Sequence, residues 1–186
     1  MQVQTEHRPE PAENAGATDT PRIYVACLAA YNAGHLHGCW IDAIQDAEDI
    51  QDDINAMLKG SPIPDAEEYA IHDYENFANV RIHEFSGIDE VAQLAAFIDE
   101  RGTLGAAVLA HCDNDLDRAE AAFDDYVGEH RSLADFAQEL TEDTTEIPRS
   151  LAGYIDYEAM ARDMEINGDV FTVETGFQQV HVFWSR

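Results

Sequence analysis

The sequence predicts an α+β fold, drawn out as an elongated chain of three small domains with mixed α/β ends and a helical middle. Three observations carry this. Runs rich in β-branched and aromatic residues stand near both ends, at residues 22–31 and 170–184. Between them, apolar residues recur at spacings of three and four, the helical period. Turn signals at Asn32-Ala33-Gly34, Gly60 with Pro62 and Pro64, Gly102 and Asn167-Gly168 cut the chain into short elements.

Residues 1–20 are polar, hold Pro9 and Pro11 and lack any apolar period, so a disordered tail is expected there. They also lack the apolar stretch of a signal peptide. Arg22 to Tyr31 reads as one largely buried strand, and His35 to Ile41 returns as a second. Asp42 to Leu58 turns helical, because Ile44, Ala47, Ile50, Ile54, Met57 and Leu58 share one face, and Gly60 ends it. Glu68 to Tyr74 and Val80 to Phe85 read as further strands, completing an N-terminal α+β domain over 21–85.

From Ser86 the period changes. Ile88, Val91, Leu94, Ala95 and Ile98 mark a helix that Gly102 closes, and residues 103–112 form a short apolar helix. Leu116, Ala119, Phe123 and Tyr126 mark a third, ending near Gly128, so a helical middle domain is expected over 86–130. Ser132 is placed to cap the next helix, with Asp135 three residues on. A helix from Ile155 to Ile166 follows Pro148, stopped by Asn167-Gly168. Val170 to Glu174 and Gln178 to Trp184, around Thr175-Gly176, make a β-hairpin. These complete a C-terminal α+β domain over 131–186.

Thirty-eight Asp and Glu against ten Lys and Arg leave a formal charge of −28, spread along the whole chain. With 45% apolar residues, eight Phe and seven Tyr, this is not the composition of a disordered acidic segment. The longest apolar run, Ile23 to Tyr31, is far too short to span a membrane. Three cysteines, an odd number, suit reduced thiols in a cytoplasmic protein.

The acids cluster. On the helix read over 42–58, Asp42, Asp46, Asp49 and Asp53 form a row, with Glu48 and Asp52 beside it. Like charges four apart cost a helix roughly 0.2–0.5 kcal/mol per pair. Six charges over eleven steps lie about 3 Å apart along the axis, within a factor of two of the ~1.7 Å of duplex DNA. Asp113, Asp115, Asp117, Glu120, Asp124 and Asp125, with Glu129 beyond, form a second cluster. Three readings fit: an acidic protein of a halophile with an unrelated binding role, a solvated acidic surface on some enzyme or binding module, or a DNA mimic.

Smaller constellations carry less. Asp113-x-Asp115-x-Asp117 with Asp124 in the twelfth place resembles a calcium loop, a weak calcium-binding alternative. However, Arg118 stands where the sharp turn needs Gly, and Asp124 replaces the bidentate Glu. His35-Leu36-His37 with Cys39 offers zinc donors without a second pair at recognisable spacing. His111-Cys112 are helix neighbours that point apart. No nucleophile elbow, phosphate loop or dinucleotide fingerprint is present, so no enzyme, catalytic residue, cofactor or metal is expected.

Tyr31-Asn-Ala-Gly34-His-Leu36-His-Gly38-Cys-Trp40-Ile-Asp42 resembles the opening motif Y-N-x-G-x-L-x-G-x-W of the ArdA-type antirestriction proteins. The likeness continues at Tyr69-Ala-Ile-His-Asp-Tyr-Glu75, Tyr126-Val-Gly128, Leu133-Ala-Asp-Phe-Ala137, Tyr154-Ile-Asp156-Tyr157, Asn167-Gly168-Asp-Val-Phe171 and His181-Val-Phe183, in family order. The resemblance implies an elongated acidic homodimer, a DNA mimic carried by mobile elements such as conjugative plasmids and transposons. Such proteins occupy the DNA-binding groove of type I restriction–modification enzymes, at the methyltransferase core with its specificity subunit. It implies no catalysis, no direct nucleic-acid binding and no membrane. The acids named above are then the partner-binding surface. Tyr31, Asn32, Gly34, Leu36, Gly38, Trp40, Tyr154, Asp156, Asn167, Gly168 and Phe171 are expected to be structural, as turn residues and core aromatics.

Overall fold

The computed structural model describes residues 20–185, so the tail expected over 1–20 lies, but for Thr20, outside the described residues. β1 (Arg22–Cys27) is the centre of a three-stranded antiparallel sheet, between β2 (Gly38–Asp42) and β3 (Tyr69–Glu75). Ile23, Val25 and Cys27 alternate into the core with no exposure, as the two-residue strand period requires. α2 (Ala47–Lys59) covers that face with Ile50, Ile54, Met57 and Leu58.

Three sequence readings need correction here. The first strand stops at Cys27, where its β3 partner Tyr69 begins the facing strand, and Leu28–Asn32 coils into a one-turn helix, α1. Cys27 caps it, its Sγ accepting from the Ala30 amide at 3.5 Å. The second helix starts at Ala47 rather than Asp42, which closes β2 instead. Val80 to Phe85 is not a strand. Asn76 and Ala78 hold positive φ just before it, and one bond, from the Ile71 amide to the Glu84 carbonyl at 2.9 Å, ties it to β3. Val80 and Ile82 are buried all the same, so the apolar alternation recorded burial without a ladder.

α3 (Ile88–His111) breaks at Gly102, whose φ of 60° and ψ of −148° are non-helical, so the two helices expected on either side are real. α4 (Leu116–Asp124) follows, and then β4 (Tyr126–His130), a strand that the helical reading of this stretch missed. α5 (Leu133–Thr144) is capped by Ser132, whose Oγ accepts from the Asp135 amide at 3.1 Å, as the spacing predicted. A 3-10 turn at Ala152–Tyr154 leads into α6 (Tyr157–Ile166), and β5 (Val170–Gly176) and β6 (Gln179–Trp184) form the hairpin. β6 is central in the order β4-β6-β5.

Helices and antiparallel sheets in one chain make this an α+β fold, as predicted. One buried cluster runs from Ile23 through α3 to Val173 and Phe183. Where α3 meets the second sheet, His111, Phe171 and Phe183 stack in parallel, with centroids 4.3 and 4.8 Å apart. Phe123 meets Phe183 edge-on from α4. A smaller cluster gathers Phe136, Val170 and Val182 beneath α5.

Candidate functional site

β2 ends in a turn that Asp42 itself builds, its Oδ1 accepting from the Ile44 amide at 2.9 Å. α2 then begins beyond Asp46, so Asp42, Asp46, Asp49 and Asp53 are not one helical row. Asp42 and Asp53 are linked by another route. Gln45 Nε2 donates to the Asp42 carbonyl at 3.0 Å and to Asp53 Oδ2 at 3.1 Å, tying the end of the strand to the middle of the helix. The later start also changes the energetics. Glu48 and Asp49 fall in the first turn, where the helix dipole favours each by about 0.3–1 kcal/mol and offsets their mutual repulsion.

In the second cluster, Asp113 and Asn114 adopt left-handed φ of 56° and 64°. Asp115 caps α4, its Oδ1 accepting from the Arg118 amide at 3.0 Å. Residues Leu116–Asp124 are helical, so Asp117 and Asp124 cannot close a calcium loop with Asp113. Among the described residues no three His, Cys, Asp or Glu side chains converge as metal donors. His37 Nε2 instead lies 2.7 Å from the Met57 carbonyl, while His35 is exposed. Burial raises the Cys39 thiol, and Asp53 raises it further.

Of the thirteen acids read as the partner surface, all are exposed except Asp125, which is half-buried and accepts the Trp184 amide at its carbonyl. Three arginine–carboxylate pairs, using Glu75, Glu100 and Asp135, and a His130–Glu139 contact at 3.4 Å occur among the described residues. None of the other twelve acids is in one. Arg101 is held by aromatic faces instead, over the Phe97 and Phe123 rings at 5.1 and 4.3 Å.

The motif residues divide. Gly34 takes a φ of +81° that glycine permits. Tyr24 lies across Gly38 and meets Trp40 edge-on at 5.5 Å, so Gly38 and Trp40 seat one ring. Asp156 caps α6, accepting from the Ala159 amide at 2.9 Å, and Gly168 follows Asn167 with φ of +73°. Phe171 is in the aromatic stack. The expectation of core aromatics fails for Tyr31 at 55% exposure, Trp40 at 37% and Tyr154 at 86%, and Leu36 at 93% fills no core. Asn32 is likewise exposed, at the end of α1.

A cavity of about 340 Å³ lies between α4 and the second sheet, lined by His111, Arg118, Asp125, Phe171 and Trp184 among others. Nearby, His181 is buried at the sheet's centre, with Tyr126 Oη 2.8 Å from Nδ1 and Thr175 Oγ1 2.9 Å from Nε2. Burial lowers its pKa, and Glu129 opposes that shift. Sequence reasoning gave His181 a place in a motif but no role, and it passed over Gln45 and the β4 pairing, because neither carries a local signal. No helix among the described residues is long and apolar enough to cross a membrane.

A family model described as antirestriction protein (ArdA) matches residues 23–179. Comparison with curated proteins gives no match.

Proposed function

The chain belongs to the ArdA family of antirestriction proteins, and from that premise we propose that it inhibits type I restriction–modification enzymes by imitating B-DNA. The observation that carries this is the state of the acids. The twelve exposed acids of the two clusters are in no ion pair among the described residues. A groove lined by Lys and Arg to hold phosphates can exchange them for such carboxylates, releasing counterions as DNA does. Inhibition is then steric and electrostatic competition, with no bond made or broken.

The partner is the methyltransferase core with its specificity subunit, met in the cytoplasm by a homodimer of this chain. The division into domains over 21–85, 86–130 and 131–186 belongs to the same reading, as does carriage on a conjugative plasmid or transposon. Direct binding to nucleic acid is disfavoured, since both surfaces are polyanions. The test is a DNA-cleavage assay with a purified type I enzyme, titrating this protein. Protection should rise to completion and be overcome by added unmodified DNA. Full cleavage at large excess of the protein would sink the proposal.

A further inference from the structure

We propose that a notch beside β3 receives an arginine side chain of the protein partner, a subsite that rests on the mimic reading above. Tyr31, Ile71, His72, Tyr74, Ile82 and Glu84 line an open cavity of about 490 Å³. Ile71 and Ile82 are buried, whereas Tyr31 is 55% exposed and stands edge-on to His72 at 4.9 Å. The bond from the Ile71 amide to the Glu84 carbonyl holds Glu84 beside these rings. Among the described residues, neither the Glu84 carboxylate nor the Tyr31 and Tyr74 hydroxyls have a hydrogen-bond partner, and no cation pairs with Glu84. The notch thus offers ring faces and a carboxylate, and no positive charge of Lys or Arg.

The same sheet shows what such a pairing holds. Arg22 lies 4.7 Å from the Trp40 ring centroid, and its Nε and Nη2 bond Glu75 Oε2 at 2.9 and 2.6 Å. An aromatic face with a carboxylate beside it is therefore a guanidinium holder in this chain already. It also resembles what an arginine meets on DNA, a base face beside a phosphate. Arginine fits better than lysine, because its plane stacks and its fork bonds a carboxylate in two places. Tyr31 belongs to the opening motif, and its exposure, unneeded by the core, is accounted for by this role.

The test uses protection of DNA from a purified type I enzyme, titrated with the full chain and its variants. Glu84→Gln and Tyr31→Ala should each weaken protection about tenfold, while Tyr31→Phe stays within about twofold of the parent. The double variant should lose no more than about threefold beyond the weaker single, since both groups hold one guanidinium. Glu158→Gln, an exposed acid on α6, serves as the control for bulk charge. Glu84→Gln is isosteric and exposed, so it decides the matter if Tyr31→Ala melts early. Glu84→Gln no weaker than Glu158→Gln, or single losses that simply multiply, would overturn the arginine subsite and leave the mimic standing. No protection by the parent chain would overturn both.

Discussion

Tyr24 and Gly38 touch across β1 and β2 so closely that a Cβ on Gly38 would stand 2.8 Å from the Tyr24 hydroxyl and 2.5 Å from the Val25 carbonyl. The second contact is backbone, so the strands themselves would have to part. Gly38→Ala should therefore cost about 1–3 kcal/mol, as overpacking does. Gly34→Ala meets open space but forces a side chain onto positive φ, and should cost about 1 kcal/mol, the low end for such strain. Urea unfolding of the two variants checks the order; Gly34→Ala proving the worse would mean the close approach is not what the motif glycine serves.

The acids of α2 should separate by position. Glu48→Gln and Asp49→Asn remove charges from the first turn and should destabilise by about 0.3–1 kcal/mol each. Asp52→Asn, in the middle of the helix, should be neutral or slightly stabilising, because it relieves repulsion. Inhibition should behave differently, with each single change weakening protection by less than about threefold and the triple change by roughly their product. Thermal melts and cleavage titrations on one set of proteins give both readings. Abolition of protection by one of these changes, with the fold intact, would point to a discrete site and away from a distributed field.

How much of this was legible depended on whether the cause was local. Ser132, Gly102, the Asn167-Gly168 stop and the hairpin were readable, since each is fixed by its own neighbours. β4 was not. Tyr126 and Gly128 suited a helix end, and only pairing with β6, more than fifty residues away, makes them a strand. The start of α2 was misplaced because Ile44 continued the apolar period, while the Asp42 turn that stops it is a side-chain bond. The acid clusters were visible in the sequence, yet the link between Asp42 and Asp53 rests on Gln45, which nothing in the sequence marks. The exposure of Tyr31 could not be read at all, for an aromatic in a motif suggests core until the fold shows otherwise.

Gly102→Ala should destabilise by about 1–3 kcal/mol, because φ of 60° with ψ of −148° is open essentially to glycine alone. Space is not the issue, as nothing lies within 4 Å of an added Cβ. The break between the two halves of α3 sets how Leu109 and Val108 reach the core, so near-ultraviolet dichroism should change with stability. A variant as stable as the parent would show that the kink relaxes into a continuous helix without cost.

His181 gives the chain a stability that depends on pH. Its folded pKa lies below the usual histidine value, with burial as the first cause, so the unfolded chain binds the proton more readily. The stabilisation is present above the unfolded pKa of about 6.5 and is lost as pH falls through the folded one. Lowering pH from 7 to 5 should thus lower the urea midpoint in the parent and do so less steeply in His181→Gln. Protonation of carboxylates acts the other way, relieving repulsion, but mostly below this window. Equal slopes in the two proteins would show that the Tyr126 and Thr175 hydroxyls accommodate the charged ring.

Salt distinguishes a decoy from a halophile's protein, because the two put the same charge to opposite use. A halophilic chain of net charge −28 depends on molar salt to screen its own repulsion and should unfold in dilute buffer. Here Ile23, Ile50, Ile54 and Phe183 lie fully buried in a continuous core, and the acids face outward. The chain should therefore be folded at ~10 mM salt, where the Debye length is about 30 Å. Added salt should raise its melting temperature modestly while weakening its grip on a restriction enzyme steeply, with a log–log slope of several units as for DNA. Calorimetry and binding across a salt series measure both trends on one sample. A fold that appears only near molar salt, or a partner affinity indifferent to salt, would remove the electrostatic basis of the proposed mimicry.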